Sequence, residues 1–365
     1  MKSIAFVINH PAQYHFAKHV IKLLKDAGNK VIVIIKTKDV LEQLLKSDGV
    51  EYINIQKRER KKSKLAILYT YITRFIQIFL IVLRKRVDVI VGTTPEGALV
   101  AKLLKRGSIT TLEDDAEVIK ELAKSTYPVT DVVVVPTPCS VGKWSDKKIG
   151  YEGYMKLAYL HPNRFLPDQG ILKKYDIQEP YCLLRLAKLA AYHDAGIGGL
   201  NTDLVHQIIH FLEEKGYNVY ITSEYGLSEN LKRHKLKIDT VDIHHILNYA
   251  SMLISDSQSM SVEAAMLGVP SLRFSDFTGR ISVLEELEKK YHLTFGISTN
   301  SPNKLIEKLE ELLRIPNLKN EFKNRQELML KDKIDVTAFF FWFISEYPHS
   351  KKIMINNPQY QQTFK

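Results

Sequence analysis

Short apolar runs alternate with helix-patterned segments along this chain, and that rhythm constrains its architecture more than any other feature. SIAFVIN (3–9) reads as a strand, and residues 14–27 read as a helix that ends at Gly28. VIVIIKT (31–37), YINI (52–55), VDVIVG (87–92), SITTLE (108–113) and VVVVPTP (132–138) follow as strands. A second series opens at CLLRL (182–186) and continues through NVYITSE (218–224), MLISDS (252–257), SLRFSD (271–276) and LTFGIST (293–299). Strands that alternate with helices make parallel sheets covered on both faces. The stretch 159–180 breaks the rhythm, with three prolines and no clear periodicity. The expected fold is therefore α/β, with two doubly wound Rossmann-like domains facing a central cleft. The first covers 1–160, a linker covers 161–180, and the second domain covers 181–332. A C-terminal helix and tail, 333–365, complete the chain, whose 365 residues suit two domains. The aromatic run IDVTAFFFWFISEY (334–347) is too short to span a membrane and is expected to cross the domain junction.

Charge is distributed unevenly. Residues 1–150 carry 26 Lys and Arg against 15 Asp and Glu, which is the whole +11 excess, while residues 151–365 balance at 26 of each. A basic first half implies an anionic partner. No nucleic-acid-binding motif is present, and the lysines flank an apolar helix, so an anionic membrane surface is the expected partner and nucleic acid is not. Two distant cysteines, Cys139 and Cys182, allow neither a disulfide framework nor metal-ligand spacing. With no signal peptide pattern at MKSIAFVIN, the expected location is the cytoplasm, peripheral on the inner face of the membrane.

The segment behind that expectation is KRERKKSKLAILYTYITRFIQIFLIVLRKR (57–86). Its apolar part, 65–83, makes a helix about 28 Å long. Thr70, Thr73, Arg74 and Gln77 interrupt it, and a charge at mid-bilayer is costly, so spanning is not expected. A sheet-covering helix and an interfacial helix with basic flanks are both compatible with the pattern.

The candidate sites all follow strands. In MLISDSQSMSVEAAMLGVP (252–270), polar residues gather where a strand ends and a helix begins. That edge of an open α/β sheet is where ligands bind, and a helix N-terminus suits a phosphate. Glu263, one to two turns into the helix, can reach a second part of the same ligand; the plainer alternative is a solvated glutamate. In NHPAQYHFAKHV (9–20), His10 stands at a strand end with Pro11 starting the helix, and His15 and His19 share a face. Such a histidine can take a proton from an acceptor hydroxyl. Its spacing also suits zinc, but without a third ligand no metal is expected. Glu113, Asp114 and Asp115 crowd carboxylates at another edge, which raises one pKa and can create an acid or base; helix capping is the alternative.

LISDSQSMSVEAAMLGVPSLRF resembles the phosphate-and-ribose motif of GT-B nucleotide-sugar enzymes, above all the UDP-N-acetylglucosamine 2-epimerases. Almost the whole chain is similar to the family called domain of unknown function 354, through NHPAQYHF (9–16), EDDAEV (113–118), YEGYMKLAYLHPNRFLPD (151–168), AYHDAG (191–196), DIHHIL (242–247) and DKIDVTAF (332–339). The resemblance implies that Ser257, Gln258 and Ser259 cup a diphosphate, in place of the epimerases' Ser-Gly-Gly, and that Glu263 accepts from the ribose hydroxyls. It implies that Arg185, Lys188 and His193 meet the leaving diphosphate, and that a one-turn helix at DIHHIL, with His244, receives the base. The implied substrates are a nucleotide-sugar donor, most simply a UDP-sugar, and a sugar or lipid-linked acceptor; no cofactor or metal is implied. The expected activity is glycosyl transfer in surface or capsular polysaccharide biosynthesis. A sugar-nucleotide 2-epimerase and a non-catalytic nucleotide-binding partner are the alternatives.

Overall fold

The computed structural model describes residues 1–38, 40–57, 63–187, 199–223 and 226–365. The chain divides into two compact units, Met1–His161 with Lys333–Lys365, and Pro162–Asp332.

The first unit is built on seven parallel strands: β1 (Ser3–Ile8), β2 (Lys30–Lys36), β3 (Ile53–Gln56), β4 (Val89–Gly92), β5 (Gly107–Thr111), β6 (Val132–Pro136) and β7 (Lys148–Tyr151). Their order is β3-β2-β1-β4-β5-β6-β7, so the direction of winding reverses between β1 and β4. β1 is buried along its whole length, as expected of a parallel strand covered on both faces. β7 escapes the sequence pattern because KIGY has no apolar run.

Helix Pro11–Asp26 starts earlier than its apolar periodicity suggests, with His10 as its cap and Pro11 in the first turn. It lays Tyr14, Phe16, Val20, Ile21 and Leu24 into the core. The C-terminal segment belongs to this unit. Ile334 N donates to Glu152 O (2.9 Å), and Thr337 Oγ1 donates to Ala158 O (2.8 Å). The aromatic helix Val336–Ser345 sets Phe340 edge-on against Phe16, with ring centres 4.8 Å apart.

Helix Lys64–Lys85 is capped by Ser63, whose Oγ accepts from Ala66 N, and it stops at Arg86 in the left-handed conformation (φ 53°). Ile78 and Val82 are buried in the cluster formed by β1, β2 and β4. On the same side, Arg74 pairs with Glu96 of helix Pro95–Leu103, both largely shielded from water.

The second unit holds five parallel strands: β8 (Tyr181–Leu186), β9 (Asn218–Ser223), β10 (Met252–Ser255), β11 (Ser271–Phe274) and β12 (Thr294–Ile297). The order β12-β11-β10-β8-β9 reverses between β8 and β10. Each sheet thus has one switch point; His10, Arg185 and the Ser257 turn follow strands beside one, and the acidic cluster follows β5, one strand beyond β4.

The Arg74–Glu96 pair fastens the long apolar helix to the first unit. Glu96→Ala strands a shielded guanidinium and should cost about 3–5 kcal/mol in urea unfolding. Replacing both partners with apolar residues, Arg74→Met with Glu96→Leu, should recover most of that loss. A Glu96→Ala midpoint equal to wild type would show that the pair contributes nothing.

Candidate functional site

In the second unit, the ends of β8 and β10 are stitched together. The Asp256 carboxylate accepts from Ala187 N (2.7 Å), and Arg185 lies in register opposite Ser255. Ser255 Oγ accepts from Ser257 N (2.8 Å), and Ser257 then caps helix Gln258–Met266 by accepting from Met260 N. Gln258 and Ser259, which stand where the resembling motif has glycines, lie in the helix and neither has a positive φ, so this turn forms without those glycines.

The side chains of the turn are more committed than their types suggest. The Ser257 hydroxyl is occupied as the cap, and Gln258 Nε2 donates to Ser275 Oγ (2.6 Å). The groups left to face a ligand are the first-turn N–H groups of Gln258 and Ser259, which have no acceptor within the helix, and the half-exposed Ser259 hydroxyl. No acidic residue occupies that first turn, and the Asp256 carboxylate just before the cap is turned onto Ala187 N. Lys188 and His193 lie outside the described residues.

Glu263 is not a solvated glutamate. It is 8% exposed and its Oε1 lies 3.5 Å from Nε2 of His244, itself 7% exposed. A carboxylate this buried requires a polar partner, and His244 is one. His244 sits on helix Ile243–Tyr249, seven residues and so two turns rather than one. Just before it, Asp242 accepts from Lys174 Nζ and Tyr175 OH, each at 2.6 Å. Phe165 lies edge-on to His244, and the neighbouring His245 accepts from Asp168 N through Nδ1 (3.0 Å).

In the first unit, Gln13 bridges the switch point: its Oε1 accepts from Asn9 N (2.8 Å) and its Nε2 donates to Thr93 Oγ1 (2.7 Å). His10 is exposed, and its Nδ1 accepts from Ala12 N (3.2 Å), which places the proton of the neutral ring on Nε2. His15 packs its ring 5.2 Å from that of Tyr159. Among the described residues, no three His, Cys, Asp or Glu side chains are grouped to hold a metal ion.

The three carboxylates after β5 have different surroundings. Glu113 is buried and accepts from Met155 N (2.7 Å) and from Lys156 Nζ (2.6 Å). Asp115 is buried and accepts from Ser140 N (2.6 Å), a loop contact rather than a helix cap. Asp114, half-buried between them, accepts no hydrogen bond from any described residue. Burial pushes its carboxyl above the usual range; Lys156 opposes the shift, and the charges of Glu113 and Asp115 add to it. Lys156, Gln13 and Asp256 escaped the sequence reading because their roles depend on distant partners.

The chain belongs to the family described as Protein of unknown function (DUF354), whose model matches residues 4–291. No curated protein matches it. Solved structures share its fold at low identity. The S. aureus MnaA–UDP co-structure is 13% identical, with a TM-score of 0.68 over 96% of this chain and 98% of that one. UDP-GlcNAc 2-epimerase from Neisseria meningitidis, bound to UDP-GlcNAc, is 15% identical, with a TM-score of 0.62 over 90% and 100%. The Streptomyces sp. SF2575 glycosyltransferase SsfS6 is 12% identical, with a TM-score of 0.58 over 95% and 100%. The two doubly wound units are thus the GT-B architecture.

The raised pKa of Asp114 has a consequence for stability. The unfolded chain loses this proton in the ordinary carboxylate range, whereas the folded chain holds it to higher pH. The folded state then binds more protons in that window, so stability falls as pH rises through it. Asp114→Asn should therefore be more stable than wild type at pH 7, with the advantage shrinking towards about pH 4. Urea unfolding at both pH values checks this, and equal midpoints at pH 7 would refute it.

Proposed function

We propose that this member of the family is a GT-B-type glycosyltransferase. It takes a nucleotide-activated sugar, most simply a UDP-sugar, and passes the sugar to a sugar or lipid-linked acceptor in surface or capsular polysaccharide assembly. Its place is the cytoplasm, at the inner face of the membrane. One observation carries the reading: a helix N-terminus with no acidic residue in its first turn at the β8/β10 switch point, with the buried Glu263 on the same helix.

In this reading the diphosphate oxygens accept from the N–H groups of Gln258 and Ser259. Glu263, shared with His244, accepts from the ribose hydroxyls. Arg185, with Lys188 and His193, neutralises the charge that grows on the departing diphosphate. The acceptor O–H gives its proton to the Asp114 carboxylate. The acceptor oxygen bonds to the anomeric carbon as the bond from that carbon to the diphosphate oxygen breaks, and the electron pair leaves with the nucleotide. A raised pKa suits Asp114 to this task, because a base works best near the operating pH. The helix N-terminus and the cations meet the phosphate charge, so no step is assigned to a metal or other cofactor.

The likeness to the Neisseria epimerase supports a second reading, 2-epimerisation of the donor. That reaction needs a pair of carboxylates to remove and return a proton. At the β5 edge Glu113 and Asp115 are both engaged, which leaves one carboxylate and favours transfer.

The test is mass spectrometry of products from a panel of UDP-sugars offered with a lipid extract from the producing cell. Transfer predicts a glycosylated acceptor and released UDP, with Asp114→Asn lowering turnover by about 10²–10⁴-fold at unchanged UDP affinity. A 2-epimer formed without acceptor would replace transfer by epimerisation. Nucleotide binding with no product would favour a non-catalytic partner.

A further inference from the structure

Helix Lys64–Lys85 carries more apolar surface than the sheet beneath it uses. Its inner edge is committed: Ile78 and Val82 are buried, Phe75 and Phe79 pack on the same cluster, and Arg74 pairs with Glu96. The hydroxyls of Thr70 and Thr73 donate to carbonyls of the helix itself. The outer face is different. Leu68 (56% exposed), Ile72 (46%), Ile76 (49%) and Leu80 (38%) recur every fourth residue, with Tyr69 (71%) and Leu83 (47%) beside them. Among the described residues, seven of the thirteen exposed large hydrophobics lie on this one helix, so they form a patch rather than a scatter.

The charge flanking the stripe is mostly positive. The helix contains no Asp or Glu, and KRERKKSK (57–64) runs into its start in the sequence. At its other end stand the exposed Arg84, Lys85 and Arg86. The helix ends where β4 is about to begin, and β2, β1, β4 and β5 all begin at that same edge of the sheet. Lys30, Lys105 and Arg106 are exposed along it, and Lys30 Nζ donates to Lys85 O (3.3 Å). Of the nearby carboxylates, Asp88 accepts from Ser3 N and lies 3.9 Å from Arg106, and Asp131 accepts from Ser108 N.

We infer that the outer face of helix Lys64–Lys85 is a membrane-docking surface, an in-plane helix whose apolar stripe enters the headgroup–acyl boundary of an anionic bilayer while the flanking cations hold lipid phosphates. The helix does not span, because its inner edge is core and its mid-helix arginine, Arg74, is committed to Glu96. A second copy is a poor occupant, since pairing this face with itself would bring like-charged ends together. The inference deepens the membrane part of the functional reading and rests on that reading for its biological context. It is tested without any sugar nucleotide, so either can fail alone.

The experiment is cosedimentation of the full chain with vesicles of phosphatidylcholine, with and without phosphatidylglycerol. Binding should require the anionic lipid and should weaken in about 0.5 M salt. Arg84→Gln with Lys85→Gln should weaken it about tenfold or more, at roughly one headgroup interaction per cation. Leu68→Ser with Ile76→Ser should weaken it by a similar factor. Both variants change exposed side chains and should melt like wild type. Independently, the fluorescence of Ile72→Trp should be quenched by brominated lipids. Wild type that stays in the supernatant at low salt, or an unquenched Trp in vesicle-bound protein, would overturn the inference. So would a dimer that Ile76→Ser dissolves, which would assign the face to a second copy.

Discussion

A parallel sheet whose winding reverses leaves an opening at the carboxyl ends of the two strands at the reversal, because their following connections run to opposite faces. In the second unit that reversal lies between β8 and β10. The Asp256–Ala187 contact ties the two strand ends, the Ser257 cap starts the helix, and the helix sets its free N–H groups toward the opening. The same constraint in the first unit separates β1 from β4, and Gln13 holds that gap.

Buried polarity sorts the side chains near these edges. A buried charge without a partner is costly, so the carboxylates found with close donors are held in place by them. Glu113 is held by Lys156 and a backbone amide, and Asp115 by the Ser140 amide. Asp114 has no such donor among the described residues; burial raises its pKa, Lys156 opposes the shift, and the charges of Glu113 and Asp115 add to it. Glu263 and His244 form the corresponding buried pair in the second unit.

Much of the fold was legible because parallel strands buried on both faces read as apolar runs, as VVVV at 132–135 does. KIGY was not, since Lys148 and Gly150 break the run while the strand is held by pairing with β6. Strand ends were overshot for a related reason. SITTLE reads on to Glu113, but β5 stops at Thr111, where the turn carrying Glu113 and Asp115 begins. The location of the candidate site was readable from the strand–helix turn. The state of its side chains was not, because Gln258 is bound by Ser275 and Glu113 by Lys156, partners 17 and 43 residues away. Period and propensity carry no information about such contacts.

The central claim is that the switch point of the second unit binds a nucleoside diphosphate. Titration calorimetry with UDP tests it most directly, on wild type and on a folded Glu263→Ala variant. The account predicts binding to wild type and a loss of about 1–3 kcal/mol in the variant, the range for a buried hydrogen-bonding group left unpaired. No heat of binding with UDP, or equal affinity in the two proteins, would contradict it.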